Sequence, residues 1–427
     1  MASFCEVLET IPYDDMRRNF KLPFDNMNNL KLVSKQVNNI LSKIKPFISI
    51  IRDDLRINVN INLKLILKMT KQFSIVELVL KNINKCYYVS YLNLKLISNI
   101  IKNCPQLEKF DFEINYIKDY RVNILYEALE QCKHFKHLNL GLNDNSPKKV
   151  KILTKSLEKF TKLEEFIINS NNRIGDDGIN SILTALMKCK ITYINFDDTN
   201  ITVIGATFLA KMLLHFTYLQ KLSLYANSIG DEGISILAEV LPLCNLVSLN
   251  INANNLGLQG AKSIALVLPH CTSLTELFIG FNELSDEGAN SLISVLPQTK
   301  LATFYIGENN LGLDVATKLE LLLPHCTSLT ELYIGGNTFS DKGIRSIISV
   351  LGQCKQLKKL QLWDSKITDK TADMLKSILQ QLPNFIYINL HANYISEKGI
   401  DSFKKSLLES NIECFFGKQK DWQLISN

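Results

Sequence analysis

Hydrophobic residues recur along this chain in one pattern, LxxLxLxxNxL, at steps of 27 or 28 residues. In the repeat that begins at Leu274, the apolar residues Leu277 and Ile279 alternate with polar or exposed positions, which predicts a short strand. The next apolar residues have helical spacing from Ala289 until Pro297 ends the segment, so each repeat predicts a strand, a turn, a helix and a return. Eleven such repeats, counted below in chain order, begin at Leu107, Phe135, Leu163, Ile191, Leu219, Leu246, Leu274, Leu301, Leu329, Leu357 and Phe385.

A second, longer period overlies the first. The segment PHCTSLTEL occurs at residues 269–277 and again, identically, at 324–332, which is two repeats further along the chain. Alternate repeats carry two kinds of helix sequence, so the array consists of duplicated pairs. Because strands pack about 4.8 Å apart whereas helices need about 10 Å, such a stack must bend. We expect a horseshoe with a parallel sheet on its concave face and helices on its convex face.

The repeat length and the alternating helix types resemble the ribonuclease-inhibitor-like class of leucine-rich repeats over residues 107–411. The resemblance implies an α/β solenoid that binds other proteins. We expect residues 51–106 to be divergent repeats or a linker, with an early strand around Leu78. Residues 412–427 should form a C-terminal cap, with a last strand after Ile412 and Trp422 over its edge.

Position nine of most repeats is an asparagine. We expect its buried amide to satisfy backbone groups of the loop that neither the sheet nor the helices pair. Thr199 and Ser365 take its place in two repeats. The asparagines at this position are Asn115, Asn143, Asn171, Asn227, Asn254, Asn282, Asn309, Asn337 and Asn393.

Residues 1–50 do not follow the repeat. The pair Ile11-Pro12 is typical of a helix entry, and a second amphipathic helix is predicted after Pro23. The segment resembles an F-box, whose Leu-Pro start and "(L)V(S/C)K" end correspond to Ile11-Pro12 and to Leu32-Val33-Ser34-Lys35, with Val37 where the family usually has tryptophan.

An F-box implies docking on the Skp-family adaptor of a cullin–RING ubiquitin ligase. The alternative for the same segment is a plain helical cap that shields the first repeat. Transferred by position, the residues that would contact the adaptor are Ile11, Pro12, Met16, Leu30, Val33 and Lys35.

The candidate partner-binding residues lie on the concave face, because positions three, five and seven of each repeat point away from the apolar core. Aromatic residues occupy position five on three consecutive strands, and glycines beside them should leave the rings accessible. Outward aromatic residues with a charged rim are typical of protein-binding surfaces. The set is Phe278, Tyr305, Tyr333, Trp363 and Tyr387, with Glu276, Glu331 and Lys359 at the rim.

Composition and charge narrow the function classes. The net charge of +6 comes from scattered lysines and arginines, which disfavours nucleic-acid binding. No apolar run approaches the ~18 residues of a membrane span, and the N-terminus does not resemble a secretory signal. Ten cysteines without a CxxC pair do not indicate a disulfide or zinc framework. We therefore expect a soluble monomer in the cytoplasm, with the nucleus as an alternative.

The sequence offers no catalytic motif, and in particular no phosphate loop of the form GxxxxGK[ST]. We expect a protein that is not an enzyme and needs neither cofactor nor metal. Its first candidate function is substrate receptor of an SCF-type ubiquitin ligase, with the target on the concave face. The second is a ribonuclease-inhibitor-like scaffold without a ubiquitin role. The third is a small-GTPase-activating regulator, although the C-terminus GKQKDWQLISN lacks the acidic tail common in that family.

Overall fold

The computed structural model describes residues 49–50, 77–81, 91–114, 119–142, 146–169, 174–408 and 410–420. Several predicted features lie outside these ranges. They are the F-box-like residues Ile11, Pro12, Met16, Leu30, Val33 and Lys35, the first three position-nine asparagines Asn115, Asn143 and Asn171, and Trp422.

Short strands alternate with helices throughout the described ranges. The strands are β1 (Ser49–Ile50), β2 (Glu77–Lys81), β3 (Lys109–Ile114), β4 (His137–Leu142), β5 (Glu165–Ile167), β6 (Tyr193–Asn195), β7 (Lys221–Ser223), β8 (Ser248–Asn250), β9 (Glu276–Phe278), β10 (Thr303–Tyr305), β11 (Glu331–Tyr333), β12 (Lys359–Gln361), β13 (Tyr387–Asn389) and β14 (Glu413–Phe415). The early strand expected around Leu78 and the last strand expected after Ile412 are thus confirmed as β2 and β14.

One helix follows most strands, as the apolar spacing predicts. The helices are α1 (Tyr91–Lys102), α2 (Asp119–Leu129), α3 (Pro147–Leu157), α4 (Gly175–Leu186), α5 (Val203–Leu213), α6 (Gly230–Val240), α7 (Leu258–Val267), α8 (Ser285–Val295), α9 (Leu313–Leu322), α10 (Ser340–Leu351), α11 (Asp369–Leu379) and α12 (Glu397–Ser406). Single 3₁₀ turns follow four of them at Leu241–Leu243, Leu268–His270, Leu296–Gln298 and Leu323–His325.

The chain divides into two compact parts. The N-terminal part contains residues 1–174 and 181–193, and the C-terminal part contains residues 175–180 and 194–427. In the N-terminal part, β1 to β5 pair in chain order and are parallel. In the C-terminal part, β7 to β14 pair in the same way. Parallel strands that alternate with helices confirm the predicted fold class, a leucine-rich repeat solenoid.

Strand residues at positions four and six form the core between sheet and helices. Leu277, Ile279, Leu332 and Ile334 are fully buried. Each such side chain contributes about 1.5–3 kcal/mol relative to exposure in water. Positions three and five therefore lie on the sheet face that the helices do not cover, as the half-buried flanks of β9 and β11 show.

The position-nine amide connects neighbouring repeats, as predicted. The Oδ1 of Asn282 accepts hydrogen bonds from the backbone N–H groups of Asn254 (2.8 Å) and Leu256 (3.1 Å) in the preceding repeat. Its Nδ2 donates to the carbonyls of Ile251 (3.2 Å) and Ile279 (3.1 Å). Loop carbonyls and N–H groups that would be left unpaired are thereby satisfied. The same pattern recurs at Asn227, Asn337 and Asn393.

A glutamine performs this role after β14. Gln419 Oε1 accepts from the N–H of Ile395 (3.4 Å), and its Nε2 donates to the carbonyl of Leu390 (3.0 Å). Residues 411–420 therefore form a further, divergent repeat, which the asparagine pattern in the sequence does not reveal.

The pairwise period of the sequence has a physical counterpart in the C-terminal part. Asp286 at the start of α8 accepts a hydrogen bond through Oδ1 from the N–H of Gly312 (2.7 Å), just before the next helix. The preceding residue, Ser285, has a left-handed backbone (φ 58°) and accepts from the N–H of Gly288 (3.4 Å). Equivalent carboxylate contacts join Asp176 to the Thr202 N–H, Asp231 to the Gly257 N–H and Asp341 to the Thr368 hydroxyl. Asp369 makes the same kind of contact with the Ser396 N–H (2.8 Å) in the following repeat, so the alternation ends there.

Candidate functional site

The uncovered sheet face of the C-terminal part contains two regions of different chemistry. The polar region consists of Asn195, Asp197, Ser223, Asn250 and Asn252, on and just after β6 to β8. The aromatic patch consists of Phe278, Phe281, Tyr305, Tyr333 and Trp363, on and just after β9 to β12. Apart from Phe281, the members of both sets occupy positions five and seven of their repeats.

The polar region is a closed hydrogen-bond network centred on Asp197. Its carboxylate accepts from the Ser223 hydroxyl (2.6 Å), the Tyr225 N–H (2.8 Å) and Asn195 Nδ2 (2.8 Å). Asn250 Nδ2 extends the network by donating to Ser223 Oγ (3.1 Å). Burial raises the pKa of Asp197, against the effect of these hydrogen bonds.

Position five in this region is less exposed than its place on the uncovered sheet face predicts. Asn195 and Ser223 are each only 7% exposed because the neighbouring polar side chains cover them. The network also reaches the aromatic patch, where Asn252 Oδ1 accepts from the N–H of Gly280 (2.5 Å). Most donors and acceptors of the polar region are therefore used within the chain.

The three position-five rings of the aromatic patch lie in register on consecutive strands. The ring centroids of Phe278 and Tyr305 are 6.3 Å apart, and those of Tyr305 and Tyr333 are 5.5 Å apart at an interplanar angle of 27°. Offset stacking at such distances contributes about 0.5–1.5 kcal/mol per pair beyond burial. The sequence thus places these three side chains together correctly.

Phe281 joins the patch and was missed by the alternation of positions three, five and seven. It occupies position eight, has a left-handed backbone (φ 54°) and is 44% exposed. Its ring stacks on Tyr305 at 6.1 Å and on Trp363 at 6.4 Å. The signal in the sequence is a bulky ring where the other repeats from Ile191 onward have small or acidic residues: Asp198, Ala226, Ala253, Glu308, Gly336, Asp364 and Ala392.

Glycines provide the surface on which the rings lie. A Cβ on Gly335 would lie 2.6 Å from the carbonyl oxygen of Trp363 and 2.7 Å from its ring, and one on Gly280 would overlap the Tyr305 ring. The rings therefore rest against the backbone and are half-buried, which is more packed than the sequence analysis expects. Burial raises the pKa of the Tyr305 hydroxyl to about 12.

An ion pair whose charges compensate each other forms one edge of the patch. Glu331 accepts a hydrogen bond from the Tyr333 hydroxyl (2.7 Å) and pairs with Lys359 Nζ (2.8 Å). Although burial opposes the change, these two contacts lower the pKa of Glu331. Tyr387 lies in register with Lys359 on β13, and Glu276 lies at position three of β9.

Glu308 lies beside Trp363 in the patch and was also missed. A Cβ on Gly336 would lie 2.6 Å from the Glu308 carboxyl carbon and 2.8 Å from Trp363 Cη2, so carboxyl and indole meet over this glycine. Burial and the nearby Asp364 charge raise the pKa of Glu308. Asp364 itself pairs with Lys420 Nζ (2.5 Å). Among the described residues, no hydrogen bond or ion pair engages the Glu308 carboxylate.

Other chemistry is sparse in the described ranges. No group of three or more His, Cys, Asp or Glu side chains there could hold a metal ion. The cysteines described are free thiols, and burial raises the pKa of Cys271 to about 11 and that of Cys326 to about 12. None of the described helices is both long and apolar enough to span a lipid bilayer.

Comparison with known sequences agrees with the repeat pattern. The family model described as "Leucine Rich repeat" matches residues 161–183, 243–265, 270–292 and 325–347. Each match begins in the segment that leads into a strand and covers that strand and most of the following helix, so the chain carries leucine-rich repeats.

Similar proteins contain the same kind of repeat. Human "NACHT, LRR and PYD domains-containing protein 5" is 28% identical over 158 residues, 35% of this chain and 13% of that protein. The mouse "Ribonuclease inhibitor" is 26% identical over 140 residues, 32% of this chain and 30% of the inhibitor. The chain thus matches less than a third of either relative. An internalin from Listeria monocytogenes superposes with a TM-score of 0.46 at 19% identity, over 84% of this chain and 95% of the internalin.

Proposed function

We propose that this chain is a non-catalytic scaffold that captures a partner protein on its aromatic patch. The observation that carries the proposal is the exposed Phe281 ring, whose centroid lies 6.1 Å from that of Tyr305 and 6.4 Å from that of Trp363 on a glycine-lined sheet. Half-buried rings held in fixed positions lose little conformational freedom on binding, and such rings dominate the affinity of protein interfaces. The rim residues Glu276, Glu331 and Lys359 and the neighbouring Tyr387 would add specificity.

Removing Phe281 tests the proposal with a matched control. Glycine adopts the left-handed backbone at this position without strain, so Phe281→Gly deletes the ring and leaves the loop stable. Ala253→Gly is the control, because Ala253 has the same position in the repeat and nearly the same φ of 52° beside the polar region.

We expect partner recovery in affinity capture with quantitative mass spectrometry to fall about tenfold for Phe281→Gly, as a hot-spot ring predicts. The Ala253→Gly chain should recover the same partners as wild type. Equal recovery by all three chains would show that the patch does not bind.

We further propose that the captured protein is a target of an SCF-type ubiquitin ligase in the cytoplasm. In this proposal residues 1–50 bind a Skp-family adaptor through Ile11, Pro12, Met16, Leu30, Val33 and Lys35. The support is the spacing of Ile11-Pro12 and Leu32-Lys35 in the sequence. The mechanism is proximity, since a tethered target meets the ubiquitin-charged enzyme at high effective concentration.

Deleting residues 1–45 tests the adaptor proposal. Co-purification with a Skp-family adaptor should be lost, while the circular dichroism spectrum and melting temperature of the repeats remain. The paired substitution of Ile11→Asp with Val33→Asp should have the same effect without shortening the chain. A full-length chain that binds no Skp-family adaptor would exclude the ligase role.

A ribonuclease-inhibitor-like binding scaffold without a ubiquitin role is the second candidate. It is favoured by the similarity to ribonuclease inhibitors of mouse and pig, at 26% and 27% identity over 140 residues. This candidate predicts that Phe281→Gly abolishes partner capture although no adaptor binds to residues 1–50.

A further inference from the structure

We propose that the aromatic patch recognises an arginine side chain of the partner, stacked on Phe281 and Trp363 and paired with Glu308. This inference rests on the proposed function, because it specifies the chemistry of the protein that the patch captures. It follows from the ring arrangement, from the charges around it and from the use of the nearby backbone groups.

The ring arrangement suits a planar cation. Phe281 stacks on Tyr305 and on Trp363 at interplanar angles of 20° and 24°, so three π-systems meet in one cluster. The faces of aromatic rings attract cations within about 6 Å of the centroid, and tryptophan does so most strongly. A guanidinium group is flat, weakly hydrated and able to stack on such rings while its edge donates hydrogen bonds.

The charges around the cluster leave Glu308 without a direct cationic partner, because Lys420 acts on it only through its charge at longer range. Lys359 neutralises Glu331, and Lys420 neutralises Asp364. Glu308, which shares the surface of Gly336 with the indole of Trp363, has no hydrogen bond or ion pair among the described residues. A partly desolvated carboxylate beside apolar rings is destabilised, as the raised pKa of Glu308 indicates. A cation that reaches it would gain a charge-assisted hydrogen bond.

Backbone groups near the cluster disfavour an anionic partner. The N–H groups of Phe281, Glu308 and Gly336 already donate to the carbonyls of the next strand, at 3.0, 3.1 and 2.8 Å. A carboxylate or phosphate group of a partner would therefore be repelled by Glu308 and could not be compensated by hydrogen bonds from these three N–H groups. Among charged side chains, the patch is complementary to a cation.

A peptide-display selection tests the inference with the full-length chain. The probe is a library of random short peptides, selected against the wild-type chain and again in the presence of the Phe281→Gly chain as competitor. We expect the peptides that the competitor fails to remove to be enriched in arginine. A selected peptide should bind the Glu308→Gln chain about tenfold more weakly than wild type.

A double-mutant cycle with that peptide tests whether its arginine and Glu308 interact directly or affect binding independently. Replacing its arginine with citrulline, which keeps the shape without the charge, should weaken binding to wild type about tenfold and binding to Glu308→Gln much less. Glu308→Asp should restore part of the affinity, because the carboxylate is kept.

The outcomes distinguish the two proposals. Patch-dependent peptides without arginine, or with an affinity that Glu308→Gln leaves unchanged, would overturn the arginine inference and leave the proposed function standing. Peptides that bind wild-type and Phe281→Gly chains equally would overturn both.

Discussion

The polar region and the aromatic patch have the same repeat backbone but differ in how far their side chains satisfy one another. In the polar region, Asp197 accepts hydrogen bonds from Asn195, Ser223 and the Tyr225 N–H, so its charge is satisfied within the chain. In the aromatic patch, Glu308 lies just beyond its strand beside Trp363, and no hydrogen bond or ion pair from a described residue reaches its carboxylate. The repeat fixes the direction in which each side chain points. The chemistry of the side chains then decides whether their donors and acceptors are used within the chain or are left without a partner in it.

The difference also shows in how each region is made rigid. Hydrogen bonds between neighbouring side chains hold the polar region, whereas ring stacking over glycines holds the aromatic patch. Substitutions that remove hydrogen bonds from the polar region should therefore leave the aromatic patch intact, and substitutions that disturb the ring stacking should leave the polar region intact.

The largest effect should come from Gly335→Ala, which breaks the aromatic patch. Because the added methyl group would lie 2.6 Å from the Trp363 carbonyl oxygen, backbone must shift, and overpacking of this kind costs about 3 kcal/mol. Urea unfolding should show this loss. Tyr225→Ala is the control, since Tyr225 has a side chain at the same position seven and is exposed. A Gly335→Ala chain as stable as that control would contradict the packing described for Trp363.

Asp197→Ala should break the polar region with a smaller effect. It leaves the Ser223 hydroxyl and the Tyr225 N–H without their acceptor, which costs about 2 kcal/mol of unfolding free energy. Binding to the aromatic patch should be unchanged.

The contribution of Asp197 to the stability of the fold depends on pH in a defined direction. Because burial raises the pKa of Asp197, the folded chain binds this proton more readily than the unfolded chain. The stability of wild type relative to Asp197→Asn should therefore increase as the pH falls through the interval between the ordinary and raised pKa values. A decrease over that interval, measured by urea unfolding at several pH values, would contradict the burial of this carboxyl group.

Binding to the aromatic patch should respond to acid in the opposite sense. As the pH falls through the raised pKa of Glu308, the carboxylate is neutralised and an arginine peptide should lose affinity by about tenfold. Fluorescence-polarisation titrations at several pH values measure this loss. The Glu308→Gln chain should show a flat profile over the same range, and an equal slope in both chains would place the titrating group elsewhere.

The smallest expected effect belongs to Lys420→Gln. This change removes the cation that pairs with Asp364 and that also acts on Glu308, so the patch becomes more negative. Exposed pairs are worth only a few tenths of a kcal/mol, so the affinity for an arginine peptide should rise about twofold. Weaker binding in the same titration would mean that Lys420 itself contacts the peptide.

Most of the fold follows from the sequence, because a 28-residue hydrophobic period can only bury its apolar positions by stacking strand on strand and helix on helix. The position-nine asparagines were predictable for the same reason, since an amide there recurs in register. The terminal Gln419 was not predicted, because its longer side chain performs the same role at a position that the pattern assigns to asparagine.

The site was only partly predictable. Phe278, Tyr305 and Tyr333 follow from strand alternation, which fixes the face on which they lie. Phe281 and Glu308 do not, because position eight leaves the strand with a left-handed backbone and the two-residue alternation ends there. Adaptor docking through residues 1–50 stays a prediction.

The carboxylate contacts at Asp176, Asp231, Asp286 and Asp341 restrict how the length of this molecule can change. Each of these four contacts joins an odd repeat to the even repeat after it, so a deletion of one repeat between repeats three and nine brings two loops of the same type together. Asp369 makes the same contact with the Ser396 N–H (2.8 Å) from repeat ten to repeat eleven, where the alternation ends. A deletion of two repeats restores an Asp beside a matching N–H. Between repeats three and nine, we therefore expect arrays that are shortened or lengthened by two repeats, about 55 residues, to be more stable than arrays changed by one repeat.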